Sequence, residues 1–392
     1  MRSSYPQKLV ISSLICAKLV LSGVALGAAD ASTYEQSAGK TDIIRSAMLG
    51  SIRTSWEQGT AAAAILEWDD SEYSVFGAKP FVSNRKFPLD TLQLAYSAAV
   101  WQTPDGRLSQ NIGDALDGAA LDGASAGSAV LLGSFTDPTR SSYWLSAASA
   151  ELNYILNVAP RTSTGAISHR ADSRQYWADG VYMGFPFIAY YGAVTHNATP
   201  LQIAYDQCRL HRDALLLDGP TGKLWGHIYD DDTKSWVDEG IWGSGNAWAA
   251  LGMLRIAVTI RKTSSYPTMM TQVFDLISWV KEILDGEFAA LTSGNLVPDY
   301  LTDGPSFGDA SSSAALASVA YRVATLYPKR FGSNYTTTAA NMRYAVLGNI
   351  TNLGSLSPVV NPLVWDQVGL LSTEAQAFGL MMLSAWRDYC GQ

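Results

Sequence analysis

Twelve apolar, alanine-rich stretches, each repeating at helical spacing and separated by breakers, govern what this chain can fold into. The spacing predicts helices over Ile43–Ile52, Thr60–Trp68, Leu89–Trp101, Gly113–Gly133, Ser141–Val158, Val181–Ala193, Leu201–Leu217, Ala247–Arg261, Met269–Leu284, Ser312–Tyr327, Tyr335–Leu347 and Thr373–Tyr389. Pro104-Asp105-Gly106, Asp137-Pro138, Gly165, Gly219-Pro220, Gly304-Pro305 and Asn361-Pro362 stand between them, and no alternating strand pattern of comparable length competes. The stretches come in consecutive pairs without a linker-like segment. Some are apolar almost all round and rich in small residues, notably Ala61–Ala64 and the Ala/Gly/Ser stretch Asp117–Gly133, which suits helices enclosed by other helices. The expectation is an all-α (α/α)6 barrel built by a single domain over residues 32–392. Its functional face would be where Gly- and Trp-rich loops enter the inner helices.

Charged residues make up 16% of the chain against roughly 25% for ordinary globular proteins, which implies a large buried interior. At the N-terminus, Arg2 and Lys8 precede apolar runs through Leu9–Ala17 and Leu19–Gly27, followed by Ala29-Asp30-Ala31. This reads as a signal peptide over residues 1–31, giving a secreted, extracellular protein without a membrane anchor. Three sequons, at Asn197, Asn334 and Asn349, fit a eukaryotic secretory route, with Pro200 disfavouring the first. Residues 1–31 carry a net +2, so their removal takes the formal charge from −8 to about −10. Such acidity excludes nucleic acid as a partner. Beyond Cys16 only Cys208 and Cys390 remain; one disulfide or two buried thiols are equally open, and no metal-binding spacing exists. A monomer is expected.

The chemistry concentrates between Trp177 and Trp248, in W-A-D-G-V-Y-M-G-F-P-F-I-A, G-H at Gly226–His227 and W-G-S-G-N-A-W. Asp179 sits among Trp177, Tyr182, Met183 and Phe185, and a partly desolvated carboxylic acid beside tryptophan faces suits sugar chemistry. The bland alternative is a helix N-cap, with Gly180 following. Helical spacing puts Met183 and then Pro186–Phe187 one and two turns beyond Asp179, and Pro186 predicts a kink. A glycosidase usually needs a second carboxylate; of Asp117 and Asp122 the preferred partner is Asp122. His169 and His227 lie in Gly/Trp-rich loops and serve equally well as structural residues. Arg170 offers a fork to a substrate carboxylate, and Asn246 a donor and acceptor to hydroxyls. Trp56, Trp177, Trp242 and Trp248 read either as core or as a sugar-binding wall. The run Asp230-Asp231-Asp232 reads as a solvated turn.

From about Trp56 onward, P-R-T-S-T-G-A-I-S-H-R, the Trp177 segment, G-H-I-Y-D and W-G-S-G-N-A-W together resemble the unsaturated rhamnogalacturonyl hydrolases of glycoside hydrolase family 105, with the unsaturated glucuronyl hydrolases as cousins on the same barrel. The resemblance implies a general acid/base at Asp179 and a second aspartate at Asp122. It implies substrate contacts from Trp56, His169, Arg170, Trp177, Met183, His227, Trp242, Asn246 and Trp248. The implied reaction removes a 4,5-unsaturated uronic acid from lyase-generated oligosaccharides of the rhamnogalacturonan or pectin type by enol-ether hydration, without metal or organic cofactor. One departure stands out: Ser244 occupies a position where that family commonly has arginine. Two other readings stay open, a hydrolase of saturated glycans on the same barrel and a barrel that binds carbohydrate without turnover.

Overall fold

Each stretch with helical spacing contributes to a helix in the computed structural model, which describes residues 28–53, 55–82, 86–109, 118–302 and 306–391. The helices are α1 (Ala28–Ser51), α2 (Ser55–Asp69), α3 (Leu89–Val100), α4 (Gly127–Thr136), α5 (Ser141–Asn153), α6 (Gly180–Met183), α7 (Phe185–Val194), α8 (Ala198–Leu215), α9 (Gly243–Arg261), α10 (Met270–Ala289), α11 (Ala310–Leu326), α12 (Ser333–Gly348) and α13 (Thr373–Tyr389). The expected signal sequence falls largely on residues 1–27, outside the described residues. Residues 110–117, Asp117 included, are also outside them. One expectation is corrected: in place of a helix over Gly113–Gly133, a 3-10 turn at Asp122–Ala126 leads into α4. Its small residues let the chain pack closely without continuing α geometry upstream.

The helices form two concentric rings, the (α/α)6 architecture. The inner ring is α2, α4, α7 with its short forerunner α6, α9, α11 and α13; each packs on the next, and α13 closes back on α2. The other helices wrap the outside. Burial follows from sequence: α9, α11 and α13 are enclosed on nearly every side, whereas α10 buries Val273, Leu276, Ile277, Val280, Ile283 and Leu284 along one stripe. The kink expected at Pro186 separates α6 from α7 at Gly184, because proline offers no N–H to the Tyr182 carbonyl.

All six inner positions run in the same direction. At one end, Glu67 of α2 pairs with Arg255 of α9 and, at 3.0 Å, with Arg322 of α11, which also pairs with Asp388 of α13. Losing one member of such a buried network would leave an uncompensated charge. At the other end, short antiparallel strands carry the chain over the barrel mouth: β1 (Gln175–Trp177), β2 (Leu216–Gly219), β3 (Gly222–Trp225), β4 (Ile228–Asp230), β5 (Ser235–Asp238), β6 (Val297–Pro298), β7 (Gly308–Asp309), β8 (Val359–Asn361) and β9 (Val364–Gly369). β1, β4 and β5 form one sheet with Trp177 opposite Ile228; β2–β3, β6–β7 and β8–β9 are separate pairs. Cys208 and Cys390 stand as separate buried thiols.

Two glycines permit this packing. A Cβ on Gly59 would lie 2.4 Å from the Ala126 nitrogen, and one on Gly252 would lie 2.6 Å from the Val181 carbonyl. Backbone cannot yield as a side-chain tip can, so Gly252→Ala should destabilise the protein by about 1–3 kcal/mol. A lower thermal midpoint checks this; an unchanged one contradicts it.

Candidate active site

Where inner helices begin, a pocket is lined by Trp56, Asp122, His169, Trp177, Asp179, Met183, His227, Trp242, Trp248, Pro362, Trp365 and Glu374. Nine of the eleven residues singled out from sequence are therefore gathered in one place. They come from the inner helices near their starts or from the strands and loops above them. Trp56 opens α2, Asp122 precedes α4, Asp179 precedes α6, Trp242 and Trp248 flank the first turn of α9, and Glu374 lies in the first turn of α13.

Asp179 holds the N-cap position of α6, yet its side chain makes no capping bond. Its backbone carbonyl takes the N–H of Tyr182 at 2.9 Å, while its buried Oδ1 has no hydrogen-bond partner among the described residues. The cap is thus made by backbone, and the carboxyl is left for another use. Asp122 is 6% exposed, with Oδ1 3.4 Å from His169 Nε2. The His169 ring stacks on Trp177 at 4.7 Å, and a Cβ on Gly180 would lie 3.2 Å from its Nδ1. His169 therefore lies between the two aspartates. Burial pushes its pKa down to about 4 against the pull of the Asp179 charge, so the ring is neutral near pH 7.

His227 is held in one orientation. Its Nδ1 lies 2.8 Å from Asp238 Oδ2, which also accepts the Tyr300 hydroxyl at 2.5 Å. Burial alone would raise the Asp238 pKa, but those hydrogen bonds outweigh it and hold the carboxylate below its ordinary range. The ionised carboxylate selects the Nδ1–H tautomer and leaves Nε2 as an acceptor. Trp177, Trp242 and Trp365 box the ring in.

Two residues of the expected site, Arg170 and Asn246, do not line the pocket. The Arg170 guanidinium is bound by Asp172 at 2.8 Å. The two residues are close neighbours in the chain, so the local ion pair forms without ordering a long segment. Asn246 is fully buried: its Oδ1 takes the Trp225 N–H at 2.9 Å, and its Nδ2 donates to the carbonyls of Trp225 and Trp242. It acts as a strand-like neighbour that anchors the chain just before His227. Ser244 is likewise buried, its hydroxyl donating to Asp309 at 3.2 Å. Asp231 is buried too, bonded to the Ser163 N–H at 2.6 Å, so the acidic run pins one loop to another and is no solvated turn.

Sequence reasoning missed Glu374, Trp365 and Pro362. Trp365 reaches the pocket from β9, its ring 5.8 Å from that of Trp177; a lone tryptophan in a short non-helical segment gives little warning. Glu374 lies in the first turn of the helix expected over Thr373–Tyr389, where an acidic residue is ordinary. The available signal was its place at the start of an inner helix, the place also occupied by Asp122 and Asp179. Trp56 Nε1 donates to Glu374 Oε2 at 2.9 Å. Burial pushes the Glu374 pKa up to about 8, with Glu57, Asp309 and Asp179 pushing the same way against the Trp56 hydrogen bond.

The model of Glycosyl Hydrolase Family 88 matches residues 92–292, just over half of the chain. The unsaturated rhamnogalacturonyl hydrolase YesR of Bacillus subtilis is 26% identical over 231 residues, covering 57% of this chain and 63% of YesR. A structure of a possible member of family GH105 from Klebsiella pneumoniae superposes with a TM-score of 0.70 at 15% identity, covering 90% of this chain and 94% of that one. An unsaturated glucuronyl hydrolase from Bacillus sp. GL1 superposes with a TM-score of 0.60 at 13% identity, covering 89% and 96%. These superpositions establish the shared barrel.

Buried titratable groups set the pH dependence of stability. Glu374, Asp299 and Glu151 are each raised by burial to about 8. Between their ordinary values and pH 8 the folded chain binds more protons than the unfolded one, so their contribution makes stability fall as pH rises. His169 and His211, lowered by burial to about 4 and about 3, make stability fall as pH drops below about 6.5. Above that value the three carboxyls are opposed only from about pH 8 upward by Lys262, which burial lowers to about 8. The thermal midpoint should decline from pH 6.5 to 8, and Glu151→Gln should flatten the decline; a wild-type midpoint that rises across this range contradicts the assignment.

Proposed function

The chain belongs to Glycosyl Hydrolase Family 88, and from that membership we propose that it hydrolyses oligosaccharides ending in a 4,5-unsaturated uronic acid, the products of a polysaccharide lyase. The observation that carries the reading is Asp179: a carboxyl at a helix start that does not cap the helix, with one buried oxygen unpartnered in a tryptophan-lined pocket. Its proton passes to C4 of the sugar while the C4=C5 electron pair forms the new C–H bond, leaving positive charge shared by C5 and the ring oxygen. Water attacks C5 and returns a proton to the Asp179 carboxylate. The resulting hemiketal opens, and the aglycone leaves from C1. Asp122, with the neutral His169 beside it, accepts hydrogen bonds from sugar hydroxyls or the incoming water.

The similarity to YesR supports a rhamnogalacturonan-derived substrate. The basic and apolar residues before Ala31 support export, and the exposed sequon asparagines Asn197, Asn334 and Asn349 are accessible for glycosylation. A second reading, hydrolysis of a saturated or neutral sugar, is favoured by the pocket's lack of lysine and arginine among the described residues. Release of such a sugar without action on lyase products would select it. Under the first reading, Asp179→Asn should abolish the loss of the double bond's ultraviolet absorbance in unsaturated disaccharides while leaving their binding within several-fold. Turnover that survives this substitution overturns the assignment.

A further inference from the structure

Glu374 is the one pocket carboxyl for which the proposed hydration has no use. It is 3% exposed; Oε2 accepts the Trp56 N–H, while Oε1 meets no partner among the described residues. No lysine or arginine lines the pocket among the described residues, and positions 110–117, which precede Asp122, contain neither. A uronic acid nevertheless brings a carboxylate into a site that already holds Asp122 and Asp179. That carboxylate requires a donor, and Arg170 and Ser244 are committed to Asp172 and Asp309.

Resting on the function proposed above, we propose that Glu374 is the specificity-determining residue that receives the substrate's carboxylate, donating an Oε1–H hydrogen bond to it. With Oε2 accepting from Trp56, the carboxyl proton belongs on Oε1, the oxygen without a partner. The acid–carboxylate pair carries one negative charge over two groups and needs no cation. Burial, Glu57 on α2, Asp309 capping α11 and Asp179 before α6 favour the protonated form of Glu374, whereas the Trp56 hydrogen bond and Arg53 before α2 oppose it, Arg53 being itself bound to Glu57 at 2.7 Å. Raising the pH through about 8 ionises Glu374, and two carboxylates then face each other. Binding of the uronate is consequently lost on the alkaline side.

The test measures the dissociation constant of an unsaturated disaccharide from pH 6 to pH 9.5 by calorimetry. Full-length Asp179→Asn protein is used so that nothing is consumed, with and without Glu374→Gln. With Glu374 present the constant should be level at low pH and then rise about tenfold per pH unit above a turn near pH 8. In the Glu374→Gln protein, whose side-chain amide still donates, it should stay level. That control also separates Glu374 from Asp299, which has a raised pKa in the same range and accepts a hydrogen bond from Trp242. A level profile with Glu374 present, or a rise that persists in Glu374→Gln, overturns the proposal. Wild-type protein assayed in parallel separates the two ideas. A Glu374-dependent profile without loss of the double bond leaves carboxylate capture standing and removes the hydration reading. Turnover with a level profile does the reverse, and no binding at any pH removes both.

Discussion

Six inner helix positions pointing the same way form the constraint on which the site depends. Each helix presents the positive end of its dipole at its start, and here residues at or just before the starts of α2, α4, α6, α9 and α13 line one pocket. This polarity makes tolerable an accumulation of acids that would otherwise repel one another: Glu57, Asp122, Asp179, Asp309 and Glu374 all lie at or just before inner-helix starts. It would also lower the cost of admitting the proposed anionic sugar to a lining without lysine or arginine among the described residues. The network of Glu67, Arg255, Arg322 and Asp388 at the opposite end ties four of the six helices together, so the convergence is a property of the whole ring.

Around this mouth, the polar residues divide by what they touch. Asp238 and Asn246 do not line the pocket; they hold His227 and the chain before it. Asp309 accepts from Ser311 N–H, Ser312 N–H, Val360 N–H and the Ser244 hydroxyl, joining the start of α11 to β8 and α9. Aromatic rings then fill the space between these anchors, with Trp248 against Phe378 and Trp242 against His227. A site supported in this way has little room to rearrange, so the protonation states of its buried groups matter more than movement of its walls.

The barrel was legible because its signal is long and redundant: twelve helical periods alternate between all-round and one-sided burial, and an error at Asp122–Ala126 does not disturb the pairing. The aromatic wall and the two aspartates were singled out by the resemblance of the Gly- and Trp-rich segments, because residue type alone left helix capping and core packing open. Side-chain direction was not legible. Arg170 and Asn246 have the right chemistry for a sugar and adjoin site residues in sequence, yet one is claimed by a neighbouring acid and the other by backbone amides. Glu374 was hidden by the opposite effect: local sequence explains a first-turn acid fully, and only the ring's closure brings α13 against Trp56 of α2. The contact between residues 56 and 374 is a fact of topology, which no local pattern encodes.

The central claim is that the sugar's double bond, and not an ordinary glycosidic linkage, is what the acid attacks. The most direct measurement compares aglycone release from two matched 4-nitrophenyl glycosides, one of 4,5-unsaturated glucuronic acid and one of the saturated sugar. The account predicts that the unsaturated glycoside releases nitrophenol in step with loss of its double bond, and that the saturated glycoside stays intact. Comparable release from both would contradict it.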